Sequence, residues 1–133
     1  MRTYIDRTPE QGLACWPGDI AFDHQELSWE TVRVGSVTMS LHTGTHIDAP
    51  RHLIEHSAGV DCIPDDVLCG CVTIVDGRGR DELGADMFQN IKTPRVLIRT
   101  DAWLDNTQFP MTFPLLTLDA AHLLTRLGIV LLG

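Results

Sequence analysis

The stretch Thr117-Leu118-Asp119-Ala120-Ala121-His122-Leu123-Leu124-Thr125-Arg126-Leu127-Gly128-Ile129-Val130-Leu131-Leu132-Gly133 decides the fold class. Thr117 or Asp119 is placed to cap a helix, and Leu118, Ala121, Leu124 and Leu127 recur at helical spacing. Gly128 supplies the stop, and Ile129–Leu132 then reads as a short apolar strand. A helix that turns directly into a buried strand is a building unit of α/β folds. Further back, Pro94 precedes a second short strand, Arg95-Val96-Leu97-Ile98-Arg99-Thr100. Val67–Val75 is a third apolar run, ended by the turn Asp76-Gly77-Arg78-Gly79. Residues 81–90 predict a short helix with Leu83, Met87 and Phe88 facing inward. Leu27–Leu41, rich in Val, Thr and Ser, predicts one or two strands with Gly35-Ser36 as a turn. Residues 42–66 read as a long irregular loop. The class is α/β, strand-rich with a few short helices.

The chain has 133 residues with 10 Lys+Arg against 18 Asp+Glu, a formal charge of −8. That length predicts one domain over 1–133 that buries roughly two thirds of its unfolded surface. The acidic balance and the scatter of the basic residues exclude a nucleic-acid partner, which needs clustered Lys and Arg. No run approaches the roughly 18 apolar residues of a membrane span. Met1–Arg7 holds no apolar signal core, so the expected location is cytoplasmic. Cys15, Cys62, Cys69 and Cys71 are too few for a disulfide scaffold, and Cys69-Gly70-Cys71 lacks the spacing of a structural zinc site. Cys69 and Cys71 are expected to be small buried hydrophobes on a strand.

The chemistry lies in Leu41-His42-Thr43-Gly44-Thr45-His46-Ile47-Asp48-Ala49-Pro50-Arg51-His52. Imidazole and carboxylate suit zinc or manganese. On a straight strand His42 and His46 would stand roughly 13 Å apart, near the limit for one ion. Gly44 lies midway and can fold the segment so that the two rings meet. Asp48 shares a strand face with His46. A helical His-x3-His pair is the competing geometry, but Thr43, Gly44 and Thr45 are poor helix formers. A lone histidine is usually a surface or satisfied core residue, so His24, His56 and His122 are not read as ligands. A metal held by His42, His46 and Asp48 would lower the pKa of a bound water to about 7. His52, offset from the ligands, would serve as general acid or base, because imidazole titrates near neutral pH. The expected reaction is hydrolysis of an activated carbonyl.

The segment H-T-G-T-H-x-D-A-P-x-H resembles the signature of the metal-dependent cyclase-like hydrolases, the family of the bacterial-type kynurenine formamidases (arylformamidases). Trp16-Pro17-Gly18-Asp19 is similar to the family's W-P-G-D, Pro94–Thr100 to its P-x-V-L-[IL]-R-T strand, and Leu118–Gly133 to its helix followed by V-x-L-[IL]-G. The resemblance covers nearly the whole chain in the family's order. It implies a swivelling β/β/α fold and hydrolysis of N-formyl-L-kynurenine to L-kynurenine and formate in tryptophan breakdown. It also implies His42, His46 and Asp48 as metal ligands, with Asp48 bridging where two ions bind, and His52 as catalytic acid/base. Zinc is expected ahead of manganese. Trp16 becomes an aromatic wall of a pocket for an aryl amide, although a lone Trp is more often a core residue. A sister activity such as isatin ring opening, or a non-catalytic remnant of the fold, is the alternative.

Family members are longer, so the chain corresponds to the N-terminal part of the fold. The resemblance places a further metal-binding His and Glu beyond the strand at Ile129–Gly133. The three ligands present suffice for one ion. A homodimer, or self-association across an open sheet edge, is the expected assembly.

Overall fold

The computed structural model describes residues 5–133. Met1–Tyr4, part of the stretch read above for a signal core, lie outside the described residues. The fold is mixed α/β. Its centre is a parallel sheet in the order β3 (Thr73–Asp76), β5 (Arg95–Arg99), β7 (Leu131–Leu132). The crossover between β5 and β7 carries α2 (Leu118–Arg126). Thr117 caps α2 as expected, its hydroxyl accepting from the Ala120 N–H at 3.2 Å. Gly128, at φ +70°, ends it. The Ile129 N–H donates to Leu124 O at 3.1 Å and the Gly128 N–H to Thr125 O at 3.1 Å, the paired closure that a left-handed residue allows. The chain then turns straight into β7 and continues the ladder, with the Gly133 N–H donating to Val96 O at 2.9 Å.

Leu83, Phe88, Val96, Ala120 and Leu124 form the buried cluster under this sheet. The inward stripe of α2 is rotated from the expected one. Ala120 and Leu124 are buried against Phe88, whereas Leu118 is 72% exposed. Removing the cap with Thr117→Ala is expected to lower stability by about 1 kcal/mol, read as a fall in the urea midpoint at constant slope.

Two expected elements differ. Residues 81–90 form β4 (Glu82–Leu83) and one 3-10 turn over Ala85–Phe88, not a helix. The backbone here pairs in parallel with β6 (Leu115–Leu116), as the Leu115 N–H donates to Asp81 O and the Thr117 N–H to Leu83 O. Those carbonyls are therefore committed outside any helix. The apolar run at 67–75 is extended only from Thr73, and α1 (Asp65–Leu68) takes its start. The Arg95 guanidinium donates Nε–H to Val67 O at 2.7 Å and lies against Gly70, which ends the extended run short of the cysteines. Cys69 and Cys71 are exposed rather than buried on a strand, Cys62 is also exposed, and all four cysteines are free.

β1 (Asp23–Trp29) and β2 (Val32–Thr38) make an antiparallel ribbon that reverses at Glu30-Thr31, not at Gly35-Ser36. Gly35 instead pairs with Glu26 inside the ladder. The observed register sets Trp29 opposite Val32 and Leu27 opposite Val34. A turn at Gly35-Ser36 would have left Leu27 and Trp29 with no cross-strand partner, and such pairs are what hold a ribbon together. β2 delivers the chain into Ser40 and the histidine segment.

The accessible surface is 10419 Å². A compact monomer of this mass exposes roughly 7000 Å². The chain thus leaves much of its apolar complement unburied, against the expectation of a domain that buries two thirds of its surface. Among the described residues no helix is long and apolar enough to cross a membrane.

Candidate metal centre

The loop after β2 is built from the sequence upward by hydrogen bonds that the residues themselves supply. Ser40 is buried, and its hydroxyl meets the Asp19 carboxylate at 2.5 Å while accepting the His42 N–H at 3.1 Å. Asp19 closes the turn Trp16–Asp19, its N–H donating to Trp16 O at 2.9 Å. The Ser40 hydroxyl, followed by the Ile20 N–H, holds the Asp19 carboxyl below the usual range, so it stays ionised and keeps accepting. The W-P-G-D turn thereby fixes the backbone at His42 through Ser40, 21 positions from Asp19 in sequence.

Gly44 makes the reversal between the two histidines at φ +67°. The Thr45 N–H donates to Arg7 O at 2.9 Å and the Arg7 N–H to Thr45 Oγ1 at 2.6 Å, pinning the turn to the N-terminal segment. The outcome is convergence. His42 Nδ1 stands 3.2 Å from His46 Nε2 and 3.1 Å from Asp48 Oδ1, with 3.7 Å between the latter two. Among the described residues this trio has metal-ligating atoms all within 4.8 Å of one another.

The triangle fits a small divalent cation. Two donors bound at about 2.0–2.2 Å to a tetrahedral zinc stand roughly 3.3–3.6 Å apart, a spacing that the three edges bracket. The donor chemistry agrees. His46 Nδ1 lies 2.9 Å from Gly44 O, so that nitrogen is the donor and Nε2 presents its lone pair to the triangle. That lone pair and an Asp48 carboxylate oxygen face one point. Two acceptors aimed together require a proton or a cation between them.

His52 ends the 3-10 turn Pro50–His52, its ring centroid 4.4 Å from that of His42. A cavity of about 520 Å³ is lined by Trp16, Asp19, His42, His46, His52, Trp103 and Phe109. Trp16 is more than half exposed, and its ring meets Phe109 edge-on at 5.4 Å. Phe109 in turn meets Trp103 at 5.0 Å. The five residues singled out from the sequence thus stand in one place. His24, His56 and His122 stand outside this trio and are not among the cavity's lining residues.

Sequence reasoning missed Phe109, Trp103 and the Asp19–Ser40 link. Phe109 lies in a loop with no periodicity, and nothing in a linear reading joins positions 19 and 40. Asp19→Ala is expected to weaken zinc binding about 10–100-fold, the usual effect of removing a group that orients a ligand. Isothermal titration with zinc measures it, and an unchanged affinity would show that Asp19 does not order His42.

A sequence profile of the family described as "Putative cyclase" matches residues 7–133. The chain is 37% identical over 137 residues to a kynurenine formamidase of Bacillus cereus, covering 97% of this chain and 65% of the relative. It is 33% identical over 143 residues to a kynurenine formamidase of Geobacillus thermodenitrificans, covering 100% of this chain and 68% of the relative. The chain therefore spans about 65% of the length of the first of these curated relatives. A solved structure described as a predicted metal-dependent hydrolase from Bacillus stearothermophilus superposes with a TM-score of 0.73 at 26% identity, over 93% of this chain and 64% of that one.

Proposed function

The chain belongs to the cyclase family matched over residues 7–133, and from that premise we propose that it carries the metal-binding half of an amidohydrolase that converts N-formyl-L-kynurenine to L-kynurenine and formate in tryptophan breakdown. The observation that carries this reading is the His42–His46–Asp48 donor triangle beside an aromatic-lined cavity. Those three residues would hold one divalent cation, zinc ahead of manganese, and the free oxygen of Asp48 is the one that could reach a second ion. Such a cation supplies Lewis acidity and makes a water nucleophilic at neutral pH.

The chain's own groups divide the remaining work. Trp16 and Phe109, crossed edge to face, offer an apolar corner against which the aniline ring of the substrate can pack. His46 Nδ1–H donates to Gly44 O, which orients the ring and turns Nε2 toward the triangle. His52, its ring tilted against that of His42 and lining the same cavity, accepts the proton of the attacking water and returns one to the departing arylamine nitrogen. Formate leaves with the acyl carbon. Protein purified without chelator is expected to contain metal and to release formate from N-formylkynurenine, with isatin turned over more slowly. Metal-free protein with no hydrolysis of either compound after zinc addition would reject the reading.

Self-association belongs to the same proposal. Leu27, Trp29, Val32 and Val34 share one face of the β1–β2 ribbon and are each more than half exposed, while the Glu26–Arg33 pair occupies the other face. A contiguous apolar patch on one face supports a homodimer. Trp29→Glu is expected to shift the sedimentation coefficient to that of a monomer. A wild-type chain already monomeric at micromolar concentration would end this part.

A further inference from the structure

The N-terminal segment does more than pin Gly44. Arg7 touches both walls of the candidate site. Its backbone exchanges two hydrogen bonds with Thr45, on the turn that carries His42 and His46. Its guanidinium lies over the Trp103 ring, with Cζ 4.1 Å from the centroid. The same group donates Nη2–H to Trp103 O at 2.6 Å and Nη1–H to the Asn106 side-chain oxygen. Asn106 O accepts the Ala14 N–H at 2.8 Å, and Trp103 Nε1–H donates to Asp105 O at 2.7 Å, so the loop that Arg7 grips is itself ordered. Trp103 backs Phe109, and Phe109 faces Trp16.

We propose that Arg7 is a positioning residue: it fixes the spacing between the imidazole-bearing turn and the Trp103–Phe109–Trp16 wall, and so sets the fit of the aryl half of the substrate. This rests on the amidohydrolase reading above. The chemistry asks for arginine. A planar guanidinium can stack on an indole and still donate sideways to two acceptors, whereas an ammonium, a point charge, can satisfy only part of that set. Arg7 is not among the residues lining the catalytic cavity, so its effect reaches the substrate through Trp103.

The test uses Arg7→Met, Arg7→Lys and Asn106→Ala in the full chain loaded with zinc. For Arg7→Met, KM for N-formylkynurenine is expected to rise about tenfold with kcat within about twofold, and Arg7→Lys to recover part of the loss. Discrimination between formanilide and an N-formyl alkylamine should narrow, while zinc affinity stays unchanged. A second readout needs no hydrolysis. With Trp16→Phe and Trp29→Phe, Trp103 is the remaining tryptophan of three, and acrylamide quenching of its fluorescence should increase when Arg7→Met is added. Asn106→Ala leaves Arg7 in place and should move both readouts the same way by a smaller factor, which decides the matter where Arg7→Met does not fold. Unchanged KM and unchanged quenching would overturn the proposal, as would a loss of zinc affinity and kcat at constant KM. Absent hydrolysis in every variant, with quenching changed as expected, would reject the amidohydrolase reading and leave the positioning role standing.

Discussion

On the proposed amidohydrolase reading, replacing His46 with alanine is expected to abolish divalent-metal binding and lower formyl-kynurenine turnover roughly a thousandfold or more, without unfolding the protein. The reasoning is geometric. His46 Nε2 is one corner of a three-donor triangle, and its orientation is fixed by the 2.9 Å contact from Nδ1 to Gly44 O. With that corner gone, His42 Nδ1 and Asp48 Oδ1 remain as a two-donor site, short of the three protein ligands usual for catalytic zinc. His46 is partly exposed and lies outside the Leu83–Phe88–Val96–Ala120–Leu124 core, so its removal should leave the circular dichroism spectrum and urea midpoint near those of the wild type. His52→Ala separates the two roles. Metal content should be retained while kcat falls roughly 10²–10⁴-fold, the usual contribution of a general acid–base. Full metal occupancy in His46→Ala, measured by mass spectrometry, would mean that the triangle is only a hydrogen-bonded cluster.

The site was more legible in the sequence than the fold around it. His42, Gly44, His46, Asp48 and His52 lie within eleven residues, and a glycine between two potential ligands is a local signal that carries its own geometry. The helix–turn–strand unit at 117–133 was legible for the same reason, since capping by Thr117 and closure at Gly128 are both local. What could not be read depended on which segments pair, whether near or far in sequence. The turn at Glu30-Thr31 carries no Asn-Gly or Asp-Gly signal, and cross-strand pairing of Trp29 with Val32 chose it over the glycine at position 35. The segment 81–90 has a helical pattern of apolar residues, yet parallel pairing with residues 115–116 claimed its backbone. Arg95 ended the extended run at the cysteines from 28 positions away. In each case a pairing contact overrides the preference of the segment taken alone.

Gly44→Ala should be the most damaging single-methyl change in the chain. Two costs coincide there. An alanine held at φ +67° in the left-handed region costs roughly 1–2 kcal/mol. A Cβ at Gly44 would also lie 2.5 Å from Arg7 O and 3.2 Å from Pro9 Cδ, so main chain, not a pliable side chain, must yield. The contacts that would open are those between Arg7 and Thr45, which hold the turn closed. Opening it separates His42 from His46. The expected result is a stability loss of about 2–3 kcal/mol together with a fall in zinc affinity of about 100-fold or more. Gly79→Ala isolates the first cost, because Gly79 sits at φ +71° with nothing within 4 Å of an added Cβ. That variant should lose about 1 kcal/mol and keep its metal affinity. Urea denaturation and zinc titration of the two variants side by side distinguish strain from collision. Equal stability losses with zinc affinity preserved in both would show that the reversal at Gly44 does not hold the imidazoles together.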